Sequence, residues 1–300
     1  MKTSKKNNIT LSENKMNICE RCELSKSRRF NLNKINQNPS KSIGDRLYID
    51  SSWINVPSGG GNKYWFLIVD ELSGYCWARF GRHKYDIVDE IIEVIFKINN
   101  DGYKVKTIRL DNEGEHMNLQ SECNRKELGI NFEYTSPYTP QHNGVVERKF
   151  QTLYNKIRSC LNQSGIEEHM IKRLWEVCAS TVTKLDNITT HGDKQTIPYE
   201  IYHKNKPLFL ENMHEFGEIG IIKDYHLKSK LTNKGHHCMF LGYADDHSGN
   251  VFRVYDLTTN SLRIGRYIVW LKVCYGEWKY QKDKTHGYND NNSRYTLNLS

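Results

Sequence analysis

No stretch of this 300-residue chain is apolar for long enough to cross a membrane: the longest run, Trp65–Val69, falls far short of the roughly twenty residues a spanning helix needs. The polar stretch Met1 to Thr10 lacks the apolar centre of a secretory leader. A disulfide framework is missing as well. The eight cysteines are scattered, and only Cys19 and Cys22 share the Cys-x-x-Cys spacing of a metal or redox pair, so a reducing, intracellular setting is expected. Nor is there an acidic excess. The net charge is +8, and the first 45 residues hold ten Lys/Arg against four Asp/Glu, so six of the eight excess charges lie in the leading arm. Such a balance favours a polyanionic partner, although a solvated, flexible arm has the same composition.

What is present suffices for a substantial core, since 37% of the residues are hydrophobic. Residues 1–43 read as a Lys-, Asn- and Ser-rich arm. RLYIDSSW (Arg46 to Trp53), KYWFLIVDEL (Lys63 to Leu72) and GYCWARF (Gly74 to Phe80) read as three antiparallel strands divided by turn residues. Ile87, Ile91, Val94, Ile95 and Ile98 share one face of a helix over Asp86 to Asn99, and the strand KVKTIRL follows, delivering Asp111. A short helix from Leu119 to Leu128, a strand at INFEYTS, a long helix from near Asn143 and another over Glu168 to Asp186 complete an α/β pattern. This order fits a mixed five-stranded sheet with flanking helices. Beyond Pro207 the texture changes: FGEIGIIKDY, CMFLGYA, VFRVYDL and LRIGRYIVWL predict a small all-β barrel over 207–272, and the polar stretch 273–300 predicts a flexible tail.

Asp50 lies inside the first strand, Asp111 ends the fourth, and Glu147 opens the long helix, so three carboxylates on three elements can meet at one sheet edge. Each alone has an ordinary explanation, as a turn acid or as a complement to the helix dipole. Together they repel unless divalent cations lie among them, and hard oxygen donors suit two Mg²⁺ or Mn²⁺ ions, which promote phosphoryl transfer. Asp70, at the end of the second strand, is the rival ligand; Glu113 and Glu115 read as loop acids. Glu147, Gln151, Tyr154 and Arg158 form a polar stripe suited to a DNA backbone, with Arg148 and Lys149 beside it, although an ordinary solvated face has the same pattern. The loop Gln141, His142, Asn143 and Gly144, just ahead of Glu147, is a candidate substrate contact.

There are 60 residues between Asp50 and Asp111 and 35 between Asp111 and Glu147, the spacing of retroviral-type integrases and related transposases. The segments IRLDNEGE and SPYTPQHNGVVERKFQTLYNKIRSCL resemble the integrase core of Copia-type retrotransposons. The resemblance runs on through LWEVCASTVTKLDN, TIPYEIYHKNKP and FLGYADD, and covers roughly Cys19 to Trp270. It implies an RNase H-like catalytic domain over 44–200, an Asp50, Asp111 and Glu147 triad holding two metal ions, and joining of element 3′ ends to target double-stranded DNA by a homo-oligomer. It also implies access to the nucleus, with a cytoplasmic particle stage; Lys2, Lys5 and Lys6, or Lys26, Arg28 and Arg29, are a candidate import signal.

The family pairs its Cys-x-x-Cys with two upstream histidines around zinc, whereas no histidine precedes His83 here, so Cys19 and Cys22 form a zinc half-site. Tyr267 stands where the family usually has Asp. With no protease or reverse transcriptase motif, the chain is expected to be a fragment of an element. Two other readings stand beside the integrase: a nuclease or cut-and-paste transposase of the same fold, and an inactive relic that only binds nucleic acid.

Overall fold

The aromatic and β-branched segments between Arg46 and Gly81 pair as antiparallel strands: β1 (Leu47–Trp53), β2 (Tyr64–Asp70) and β3 (Cys76–Gly81). They belong to a computed structural model that describes residues 39–111, 114–134, 144–191, 195–224, 231, 233–244, 247 and 249–292, with backbone alone at 114–116 and 286–292. The candidate zinc pair Cys19 and Cys22, the loop residues Gln141, His142 and Asn143, and Glu113 lie outside the described residues. Helix α1 (Ile87–Asn100) follows, and all five apolar residues of its expected face are fully buried. Then come β4 (Thr107–Leu110), α2 (Gly114–Arg125), β5 (Asn131–Tyr134), α3 (Gly144–Ser164), α4 (Glu168–Asn187) and the short α5 (Pro198–His203).

The first sheet has the order β3-β2-β1-β4-β5. Strands β4 and β5 join β1 in parallel, so that β2 alone runs against the others. Side chains alternate across β1: Leu47 and Ile49 enter the layer filled by α1, Leu119 and Tyr202, while Tyr48 enters the layer filled by α3 and α4. This mixed sheet with helices on both faces is the RNase H-like arrangement that the resemblance implied.

The second sheet has the order β10-β6-β7-β8-β9, built from β6 (Glu218–Lys223), β7 (Gly235–Tyr243), β8 (Phe252–Asp256), β9 (Ser261–Gly265) and β10 (Val269–Cys274). LRIGRYIVWL, expected as one strand, is two. The chain turns at Tyr267, whose φ is +59°, and β9 and β10 take opposite edges of the sheet. Only residues 266–268 join those edges, so the sheet must curl until they approach, which gives the barrel its form. The polar end, expected to be loose, forms helix α6 (Tyr275–Asn292). Its first turns are held by tertiary contacts: Tyr275 and Trp278 pack on the core, and Lys279 pairs with Glu167 of the other domain. Among the described residues no helix is long and apolar enough to cross a membrane.

The two sheets meet where Thr181 Oγ1 of α4 donates to the Leu241 carbonyl at 2.6 Å and Lys184 Nζ to the Tyr243 carbonyl at 3.0 Å. Gly242, between those carbonyls, has φ +151°, and a Cβ there would overlap Thr181 Oγ1. Gly242→Ala is therefore expected to lower stability by about 2–3 kcal/mol, from backbone strain and overpacking together. A thermal midpoint within a degree of the parent would contradict this.

Candidate active site

Register brings the first two carboxylates level. Strands β1 and β4 pair in parallel with Leu47 opposite Ile108 and Tyr48 opposite Arg109, so two further steps set Asp50 opposite Asp111. Both are half-buried, and Oδ1 of Asp111 is withdrawn from solvent. Alternation puts both on the α3 face of the sheet, since Ile49, Ile108 and Leu110 all enter the opposite layer.

Helix α3 lies over that face. Its Val146, Phe150, Leu153 and Ile157 are buried against Tyr48, Trp65 and Leu67. Tyr154 is a half-buried packing residue: its ring meets Trp65 edge-on at 5.3 Å, and its hydroxyl is 2.7 Å from Ser52 Oγ. Ser52 is two residues along β1 from Asp50, and Glu147 is two helical turns before Tyr154. Glu147 is exposed in the first turn of α3, beside the fully buried Val146.

The other expected α3 contacts divide. Arg148, Gln151 and Arg158 are exposed, the last with its guanidinium 2.8 Å from Asn155 Oδ1. Gly144 is buried at the helix start. Lys149 turns inward, its ammonium 2.8 Å from Asp186, which is fully buried. Asp70, the rival metal ligand, is also fully buried and accepts from Gly44 N at 2.8 Å, Ser73 N at 2.8 Å and Ser73 Oγ at 2.6 Å. The Ser73 bonds close the β2–β3 turn, and the Gly44 bond ties it to the segment before β1. Burial raises the Asp70 carboxyl above its ordinary range even so, against the pull of its donors.

Two residues before the aspartates, Tyr48 and Arg109 belong to an ion-pair network that no local sequence signal marked. Glu133 of β5 accepts from Arg109 Nε at 2.7 Å and Arg46 Nε at 3.2 Å, while Glu71 accepts from Arg46 at 2.8 Å and from the Tyr48 hydroxyl at 2.6 Å. Arg109 also lies over the Tyr48 ring at 5.6 Å. Burial pushes both glutamates up, but Ser40, Tyr48 and Arg46 at Glu71, and Arg46 and Arg109 at Glu133, hold them below their ordinary value of 4.5. Because the folded values lie under the unfolded ones, this stabilisation is present above pH 4.5 and is lost as the pH falls through the depressed values. The double change Glu71→Gln, Glu133→Gln is expected to flatten the acid limb of an unfolding profile against pH. An unaltered limb would mean that the network contributes nothing to acid stability.

The donor chemistry of Asp50, Asp111 and Glu147 suits hard divalent cations. Among the described residues, however, no group of three His, Cys, Asp or Glu is gathered closely enough to hold an ion.

No family model matches the chain. It is 28% identical over 264 residues to the retrovirus-related Pol polyprotein from transposon TNT 1-94 of Nicotiana tabacum, covering 84% of this chain and 19% of that protein. It is 24% identical over 267 residues to the corresponding polyprotein from transposon RE2 of Arabidopsis thaliana, covering 87% of this chain and 17% of that one. The chain thus spans less than a fifth of the length of these curated relatives. Among solved structures, the catalytic core domain of BIV integrase aligns over 54% of this chain and 95% of its own, at 23% identity and a TM-score of 0.40.

Proposed function

We propose that this chain, a homologue over most of its length of Copia-type retrovirus-related Pol polyproteins, is the integrase portion of such a polyprotein and joins element DNA 3′ ends to target DNA. The observation that carries the proposal is the parallel β1–β4 register, which sets Asp50 level with Asp111 under the helix that bears Glu147. In this reading a 3′ hydroxyl oxygen attacks a phosphorus of the target strand, a new phosphodiester forms, and the former bond to the neighbouring 3′ oxygen breaks. No covalent enzyme intermediate is involved. Bound there, Mg²⁺ or Mn²⁺ ions would polarise the phosphodiester and neutralise charge on the departing oxygen.

The protein's own contribution is positional. Asp50 and Asp111 supply oxygen donors from a rigid sheet, and Glu147 supplies a third from the first turn of α3. The exposed Arg148, Gln151 and Arg158 give that helix a face able to follow a phosphate backbone. Gln141, His142, Asn143 and Gly144, just ahead of Glu147, are proposed to contact the substrate near the scissile phosphate. The partners are double-stranded DNA and further copies of the chain, because both element ends are joined to the target in concert, and the site of action is the nucleus.

One observation favours a second reading, a relic that binds nucleic acid without turnover: the three carboxylates are not gathered into a metal-holding group. Incubating the purified chain with Mg²⁺ or Mn²⁺ and a labelled duplex bearing recessed 3′ ends separates the readings. Products longer than the substrate support an integrase, shorter products alone a nuclease, and retained binding without products the relic.

A further inference from the structure

Adjacent residues at the end of α4 tie three elements together. Asp186 is fully buried and receives two ammonium groups from α3, Lys149 at 2.8 Å and Lys156 at 2.7 Å, with His191 Nε2 at 3.3 Å. Asn187 pairs with the backbone of Cys76 on β3, accepting from its N–H at 2.9 Å and donating to its carbonyl at 2.8 Å. Lys149 and Lys156 are two helical turns apart, so Asp186 grips α3 at two heights. The upper grip falls two residues after Glu147.

That location matters because the first turn of a helix has no preceding turn to hold it and opens more easily than the middle. Glu147 is exposed in that turn, and its carboxylate is only as well placed as the backbone that carries it. Its two flanking anchors differ in kind. Val146 is fully buried but non-directional, whereas Lys149 is only 13% exposed and is bound to a single carboxylate. We infer that Asp186 is a positioning residue: through Lys149 it fixes the first turn of α3, and hence Glu147, relative to Asp50 and Asp111. Lys149 is thereby committed to the fold. This rests on the assignment of Glu147 to the catalytic site.

The test compares Asp186→Asn with Asp256→Asn in the full chain. Asp256 is an equally buried carboxylate, held in the barrel by His236 at 2.9 Å and Arg263 at 3.0 Å. Hydrogen exchange is followed at the amides of Arg148 to Phe150, and joining is measured at saturating DNA. Asp186→Asn is expected to speed that exchange at least about tenfold. It should also lower kcat by about ten- to a hundredfold, with KM for DNA within about twofold, as a misplaced catalytic group does. Asp256→Asn should leave both readouts at the parent value. Lys149→Met, which cuts the same link while leaving Lys156 and His191 on Asp186, should speed the exchange comparably. Unchanged exchange in Asp186→Asn, equal acceleration in both variants, or a rise in KM without a fall in kcat would overturn the inference. Were the parent to join no DNA, the integrase reading would fail while the exchange comparison still decided whether Asp186 holds the turn.

Discussion

Asparagine at Asp111 is expected to lower Mg²⁺-dependent joining by about a thousandfold or more, a loss of about 4 kcal/mol in transition-state stabilisation. The amide keeps the size of the carboxylate and removes its charge, so the change strikes cation binding and leaves packing alone. Stability should change little, because the substitution is isosteric at a half-buried position. A variant as stable as the parent but inactive assigns Asp111 to chemistry. One that joins DNA at the parent rate removes it from the site.

Asp70 gives the opposite result. Alanine there leaves the Gly44 and Ser73 N–H groups without their buried acceptor, at a cost of about 3 kcal/mol, read as a lower denaturation midpoint. Asparagine is expected to be nearly as harmful, because its amide N–H₂ would face donors. Joining per folded molecule, measured well below the midpoint, should be retained in both. A stable Asp70→Ala protein that has lost joining would return Asp70 to the metal site and displace Asp50 as the better candidate.

These two aspartates illustrate what the sequence could and could not say. Asp50 and Asp70 lie on neighbouring strands, and only the resemblance, which puts the first ligand on the first strand, ranked Asp50 above Asp70. Burial and the three donors around Asp70 supplied the physical reason. The first three strands were legible because aromatic and β-branched residues crowd between turn residues, and α1 because five isoleucine and valine residues fall on one face. The break at Tyr267 was not, since a left-handed residue between two apolar stretches carries no local mark. Helix α6 was hidden for another reason. It has no apolar stripe, and its anchors, Tyr275, Trp278 and the Lys279–Glu167 pair, act across domains.

The residues of the expected α3 stripe divide between solvent and core. Gln151 and Arg158 do face outward, but Tyr154 turns its ring into the core and Lys149 reaches a buried acid 37 residues on. Helical spacing fixes which residues share a face. It does not say which long side chains fold back over the edge of that face to find a partner.

The most direct test of the catalytic assignment is strand transfer by the purified chain, with Mg²⁺ or Mn²⁺ and a short duplex carrying a recessed CA-type 3′ end, run beside Glu147→Gln. Joined products are expected from the parent and none from the variant, with DNA binding retained in both. Equal joining by the two proteins would contradict the triad, and DNA binding without products from the parent would contradict the integrase itself.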